Sequence, residues 1–347
     1  MTDLEQHKIR VVVVDDSSFM RTVIKRLLGR DGRFEVIGEA RDGRAAVEEA
    51  GRLRPDVMTM DVNMPLMSGV EAVRQIMRLH PLPVVMVSAH TTEGASATIE
   101  ALSAGAVDFV PKPSGEVSTD LTLVERELTD KLALASTARP RHLSPTRAAA
   151  APVRPMVTWS PEGPRVVVIA VSTGGPAALA RVIPALPGDL DCCVLVVQHM
   201  PAQFTSALAQ RLDGLSALAV RQATDGDRLH QGLVYVAPGG RHLVVERPGR
   251  LRIDDGPPVN ACKPSADVTM QSVASTLAFR ATAVVMTGMG RDGADGLQAI
   301  KRAGGRTFAQ DEASSVIFGM PRAAIETGAV DRVLTLDAIA AAIQSRS

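Results

Sequence analysis

The 347-residue chain is 46% hydrophobic but only 3% aromatic, so its cores must come from Val, Leu, Ile, Ala and Met, a palette suited to aliphatic α/β layers. Lys plus Arg and Asp plus Glu each number 38, giving zero formal net charge. No global field draws such a protein to nucleic acid or to an anionic membrane. At roughly 150 residues per domain, the length predicts two domains.

The opening segment MTDLEQHKIR carries Asp3 and Glu5 ahead of a short Val run, unlike a signal peptide. No run approaches the roughly 18 apolar residues of a membrane span, and the expected location is cytoplasmic. From Ile9 to Lys131, short apolar runs alternate with amphipathic helical stretches. IRVVVV precedes a helix over Ser18–Leu28, FEVIGEA one over Ala45–Leu53, and DVMTMD one over Val70–Leu79. PVVMVSA then precedes Ala95–Ala104, and AVDFV a helix after Thr119. Gly29, Pro55 and Pro81 punctuate the first three helices. The pattern predicts a five-stranded, doubly wound parallel sheet.

Asp15 and Asp16 follow the first of these strands and Asp61 the third, which brings all three to the carboxyl edge, where open α/β sheets bind ligands. Any one aspartate could cap a helix. Clustered carboxylates repel unless a hard cation joins them, which points to magnesium. Ser88 ends the fourth strand and Lys112 follows the fifth, adding a hydroxyl and an ammonium suited to an incoming phosphoryl group.

Periodicity stops between Ala135 and Pro164, where six prolines occur and Arg139, Arg141, Arg147 and Arg154 precede the first acidic residue, Glu162. This is a Pro/Ala-rich tether, with residues 132–164 as the linker and 165–347 as the second domain. Its arginines read as solvated charges.

The second half carries the runs RVVVIAV, CCVLVVQH, LVYVAP, HLVVE, ATAVVMTGM and GGRTFAQ with helical stretches between them, a second α/β domain. GLVYVAPGGRHLVVE, broken at Pro238, Gly239 and Gly240, predicts an antiparallel hairpin inserted in it. Cys192, Cys193 and Cys262 form no disulfide or metal framework and read as small core residues. His230 and His242 read as surface residues.

The run RVVVIAVSTGGP ends abruptly at Ser172. Its Gly-rich turn either exposes a nucleophile or cradles a phosphate. A nucleophilic serine needs a base and an acid to orient it, and His199 and Asp292 also follow strands. A rival reading rests on Gly288-Met-Gly290-Arg-Asp-Gly293, a literal GxGxxG with Asp311 downstream, which would make a dinucleotide-binding oxidoreductase. Its lateness in the domain and the carboxylate inside the turn, which would repel a pyrophosphate, weigh against that.

The motifs VVDDS, MDVNMPLMSG, VSA and FVPKP resemble the receiver domain of two-component response regulators over residues 8–131. VSTGGP, QHMP, CKPSADVTMQSVA, TGMGRDG and QDEASSVIFGMPRAA resemble the catalytic domain of the chemotaxis protein-glutamate methylesterase and glutamine deamidase family, CheB, over 165–347. Residue pair Ala170-Val171 departs from the Gly and small residue common before Ser-Thr there. The order receiver, linker, esterase is that of the whole family.

The resemblance implies a flavodoxin-like receiver (1–131) and a doubly wound esterase domain. It implies Asp61 as phosphoacceptor and Asp15 and Asp16 as its acid pair, with Mg2+ held by Asp16, Asp61 and the Asn63 carbonyl. Ser88 would meet a phosphoryl oxygen, Lys112 would pair with it, and Phe109 would occupy the aromatic switch position without a hydroxyl. Ser172 would be the nucleophile, His199 the base and Asp292 its orienting acid, with oxyanion donors at the Thr173 and Met289 backbone and no cofactor for the esterase. Gly174 and Gly175 would serve close approach of the turn.

Expected partners are methylated chemoreceptors and a histidine kinase as phosphodonor, in a two-component chemotaxis-type pathway, with the receiver covering the esterase edge until Asp61 is phosphorylated. The alternative within this class is a receiver-controlled hydrolase of another ester or amide.

Overall fold

A computed structural model describes residues 8–88, 91–112, 118–138 and 165–345. They divide into two compact units, Met1–Leu143 and Ser144–Ser347.

In the first unit five strands alternate with five helices: β1 (Ile9–Val14), α1 (Ser18–Arg30), β2 (Phe34–Ala40), α2 (Gly43–Leu53), β3 (Val57–Asp61), α3 (Gly69–Leu79), β4 (Val84–Ser88), α4 (Thr92–Ser103), β5 (Asp108–Pro111) and α5 (Ser118–Ser136). All pairs are parallel, as the sequence pattern predicts, and the strand order is β2-β1-β3-β4-β5. Val11 to Val14 are wholly buried because helices cover both faces, which is why the strands read as unbroken apolar runs.

Four helices begin on a side-chain cap: Ser17, Asp42, Ser68 and Thr91 each accept the amide N–H three residues on. These caps satisfy first-turn donors and fix where each helix leaves the carboxyl edge. α1 runs through Gly29 to Arg30 and ends at Asp31. α5 continues to Ser136 because Leu128, Leu132 and Ala135, at helical spacing, are buried. Residues 132–136 are therefore helix rather than linker, and 139–164 lie outside the described residues.

The second unit contains β6 (Arg165–Val171), α6 (Gly175–Val182), β7 (Cys192–Gln198), α7 (Ala202–Leu215), β8 (Ala219–Gln222), β9 (Leu233–Val236), β10 (His242–Glu246), β11 (Arg250–Asp254), α8 (Ala266–Leu277), β12 (Ala281–Val285), α9 (Ala294–Arg302), β13 (Arg306–Gln310), α10 (Met320–Glu326), β14 (Arg332–Leu334) and α11 (Leu336–Gln344). Its seven-stranded parallel sheet has the order β14-β13-β12-β6-β7-β9-β8. The chain runs from β6 to β7 on one side and returns to β12 on the other, so the carboxyl ends of β12, β6 and β7 meet at a topological switch point.

The inserted hairpin lies one strand later than predicted. β9 joins the main sheet, and β10 pairs antiparallel with β11 through a turn at Gly249, whose φ of +86° suits glycine. Gly239 is needed for close approach instead: a Cβ there would stand 2.4 Å from the Met200 carbonyl oxygen. Among the described residues no helix is long and apolar enough to cross a membrane.

Candidate functional site

Ser172 follows β6 at the centre of the seven-stranded sheet. Its amide donates to the Thr287 carbonyl beyond β12 at 3.0 Å, and the His199 amide beyond β7 donates to the Val171 carbonyl at 3.1 Å. Three strand ends are thereby stitched together at the predicted serine and histidine. Both turn glycines are sterically required: a Cβ on Gly175 would lie 2.1 Å from Gln198 Oε1, and Gly174, at φ +76°, abuts Val316. Gly288 is equally constrained, since a Cβ there would lie 2.7 Å from that of Ser172.

Asp292 closes the group. Its Oδ2 accepts from His199 Nε2 at 2.7 Å and from the Ala266 amide at 2.6 Å, while Oδ1 accepts from the Ser265 hydroxyl at 2.6 Å and, at 3.3 Å each, from the Asn260 amide group and the Asp267 amide. Asp292 precedes α9 yet caps α8. Conversely Asp267, in the first turn of α8, accepts the amides of Gly293 and Gly296 at 3.0 and 2.6 Å. The two helices cap one another through a pair of buried aspartates, with the Asn260 side chain 2.6 Å from Asp267 Oδ2 tying them together. Opposed helix N-termini favour carboxylates at this point.

The GxGxxG turn thus presents a carboxylate that already has partners, at odds with a pyrophosphate cradle. Asp311, the acid required downstream, is occupied in its own loop by the amide of Ser314, 3.0 Å away.

The electrostatics follow from this packing. Burial raises the Asp292 carboxyl, but His199 and the α8 donors prevail and hold it below the usual carboxylate range. Burial pushes Asp267 up, as does the neighbouring Asp292 charge. For His199, burial opposes the cation, yet the hydrogen bond to Asp292, the contact with Cys262 and their charges raise it to about 9. With Asp292 ionised and accepting from Nε2–H, Nδ1 is the nitrogen free to act as base. Nδ1 lies 3.5 Å from Cys262 Sγ, and no hydrogen bond joins it to the Ser172 hydroxyl. Such bonds commonly tighten only with substrate in place.

Cys192 and Cys193 are buried in β7 as expected, and burial pushes the Cys192 thiol up to about 12 and Cys193 higher still. Cys262 is not a core residue but stands half-buried beside His199. His242 is likewise not at the surface: it is 1% exposed and takes part in scaffolding, with Nδ1 accepting from the Ser265 amide at 3.1 Å. His230 is half-buried. Of the two expected oxyanion donors, Thr173 is buried beneath the turn while Met289 is 58% exposed, and the Met289 amide donates to no protein group among the described residues.

In the first unit, Asp15, Asp16 and Asp61 bring one carboxylate oxygen each within 4.8 Å of one another. Asp15 and Asp61 are buried and Asp16 is exposed. Lys112 Nζ sits 2.9 Å from both Asp15 Oδ2 and Asp61 Oδ2. Burial raises the Asp61 carboxyl and the Asp15 charge adds to this, against Lys112, which lowers it. The Lys112 ammonium is raised because its two carboxylate partners outweigh burial.

One lysine leaves the three carboxylates with excess negative charge. Asp15 Oδ2, although paired with Lys112, receives no well-angled hydrogen bond. The carbonyl of the exposed Asn63 accepts none either among the described residues. This donor set fits a hard divalent cation. Gly69 lets α3 start against Asp61, since a Cβ there would lie 1.9 Å from the Asp61 carbonyl oxygen. Ser88 is buried and bonded by the Thr98 hydroxyl at 2.8 Å. Phe109 faces inward, 3% exposed, with Lys131 Nζ 4.9 Å from its ring centre.

Sequence reasoning missed Asn260, Cys262, Ser265 and Asp267. The one local signal was Pro-Ser-Ala-Asp opening α8, where Ser265 and Asp267 mark a helix start; their partners come from remote segments.

Fold and sites together define a response-regulator receiver placed ahead of an α/β domain with a serine, a histidine and an aspartate at adjoining strand ends. Residues 11–121 match the response regulator receiver domain, and residues 167–343 match the CheB methylesterase domain. The chain belongs to the CheB methylesterase family. It is 48% identical to a protein-glutamate methylesterase/protein-glutamine glutaminase of Symbiobacterium thermophilum, over 99% of this chain and 98% of that one. It is 49% identical to a protein of the same description from Geobacillus kaustophilus, covering 96% and 97%. The Thermotoga maritima CheB methylesterase catalytic domain superposes with a TM-score of 0.51 at 40% identity, covering 52% of this chain and 97% of that domain. None of these comparisons supports the oxidoreductase reading.

Proposed function

We propose that the chain is a cytoplasmic, phosphorylation-activated esterase that hydrolyses glutamate methyl esters, and deamidates glutamines, on chemoreceptors. The supporting observation is the His199–Asp292 hydrogen bond of 2.7 Å, held by four further donors beside the strand that delivers Ser172. His199 Nδ1 takes the Ser172 proton as Oγ attacks the glutamyl carbonyl carbon, and the oxyanion is met by the Thr173 and Met289 amides. His199 returns the proton to the departing methoxide, which leaves as methanol, or to the amine leaving as ammonia. Water then repeats the attack through the same base, freeing glutamate and Ser172. General base catalysis is worth about 10²–10⁴-fold and one oxyanion donor about 10²–10³-fold.

In the receiver, Asp61 accepts a phosphoryl group from a histidine kinase. Asp15, Asp16, Asp61 and the Asn63 carbonyl would hold Mg2+, which when bound neutralises the carboxylates and the incoming phosphoryl oxygens. Lys112 pairs with the phosphoryl group, Ser88 turns its hydroxyl to it, and Phe109 repacks in response. Tenfold to hundredfold activation requires only about 1.4–2.7 kcal/mol of differential stabilisation. Methanol release from methylated receptor membranes, with and without a small phosphodonor, tests both halves of the proposal. Release that ignores the phosphodonor removes the switch.

A further inference from the structure

We propose that His199 and Cys262 form an inhibitory site for thiophilic divalent cations of the zinc class. The Sγ···Nδ1 separation of 3.5 Å is the span that a tetrahedral zinc ion imposes. Zn–S of about 2.3 Å and Zn–N of about 2.0–2.1 Å, at a tetrahedral angle, place the two donor atoms about 3.6 Å apart. The two donor atoms are therefore already spaced to share one cation.

The surroundings match a metal-binding histidine in a second way. Zinc-ligating imidazoles donate their other ring N–H to a carboxylate, which fixes tautomer and orientation. His199 Nε2 already does so to Asp292 at 2.7 Å. Although Asp292 is close enough to be counted with the pair as a possible ligand, its oxygens carry the His199, Ser265 and Ala266 donors, which makes it the orienting group rather than a ligand.

Cys262 is in turn held on a tight two-residue turn. Val259 and Cys262 exchange amide-to-carbonyl hydrogen bonds at 3.1 and 2.9 Å, with Asn260 and Ala261 at φ +52° and +59°, the geometry of a type I′ turn. Half-buried at the surface, the thiol can lose its proton to solvent when the cation binds. Two protein ligands leave the remaining positions to water, so the site is reversible. The cation takes the lone pair that His199 needs as a base.

The inhibition, though not the binding, rests on His199 being that base, and the test separates them. Zn2+ is titrated into methanol-release assays of the full chain and of Cys262→Ala and Cys262→Ser, and Co2+ binding is read from the thiolate-to-cobalt charge-transfer band. Cys192 and Cys193, being buried, give no such band. We expect inhibition reversed by EDTA, an inhibiting concentration at least about 10–100-fold higher in both variants, and a band that persists in Ser172→Ala but vanishes in Cys262→Ala. Equal zinc sensitivity of wild type and both variants, or no cysteine-dependent band, overturns the site. A cysteine-dependent band with undiminished methanol release overturns the inhibition and with it the role of His199 Nδ1.

Discussion

Replacing Asp292 with asparagine removes the charge on His199 while keeping the side-chain shape. Between its ordinary value of 6.5 and about 9 in the fold, His199 gains about 3 kcal/mol in favour of its protonated form, at about 1.4 kcal/mol per pH unit. Asp292 supplies much of this and Cys262 the rest. The same stabilisation acts on the imidazolium that forms as Ser172 attacks, so the variant loses about 10²-fold at the pH plateau, and more if the amide nitrogen faces Nε2–H and imposes the wrong tautomer.

The sign with pH is specific. The base must be neutral, so activity rises as pH rises through the folded-state value of His199. In the wild type this limb climbs toward pH 9. In Asp292→Asn burial acts with much less opposition, and the limb moves down toward 6.5 or below. At pH 7 only about 1% of the wild-type imidazole is neutral, whereas most of the variant's is. The deficit is therefore largest above pH 9 and shrinks by about two orders of magnitude toward pH 7. The assay is kcat/KM for methanol release from pH 6 to 10, with enzyme-free membranes subtracted and a thermal melt to establish folding. A deficit of the same size at every pH, with the acid limb unmoved, refutes the role given to the His199–Asp292 pair.

Asp61→Asn abolishes the response of esterase activity to a small phosphodonor such as acetyl phosphate while leaving basal release intact, measured as the ratio of rates with and without donor. Gly175→Ala places a Cβ 2.1 Å from Gln198 Oε1 and costs about 1–3 kcal/mol of overpacking, read as a lowered melting temperature together with lost activity. Gly69→Ala drives its Cβ to 1.9 Å from the Asp61 carbonyl oxygen. A comparable stability loss should appear there, with slower phosphorylation of the receiver.

The sheets were legible because strands buried on both faces leave uninterrupted runs such as RVVVV and CCVLVV. β8, β11 and β14 were not, being short and charge-laced: AVRQ, RLRID and RVL. Pro238-Gly239-Gly240 mimics a hairpin turn, and only the Met200 backbone pressed against Gly239 reveals its other purpose. Ser172, His199 and Asp292 could be read because each follows a recognisable strand. Cys262, Asn260 and Asp267 could not, since their partners, His199 after β7 and the segment 292–296 after β12, are distant in sequence and the turn carrying Asn260 and Cys262 has two left-handed residues. His242 opens a short hairpin strand, which in sequence reads as exposed, but the start of α8 packs over it and buries it.

The most direct test is methanol release from methylated receptor membranes by Ser172→Ala, in the presence of phosphodonor and with a melting temperature matching the wild type. Release should fall to the enzyme-free background, because Ser172 supplies the attacking hydroxyl at the end of β6 and the hydroxyl-bearing neighbour, Thr173, is buried. Near-normal release by the folded variant would contradict the esterase mechanism at its centre.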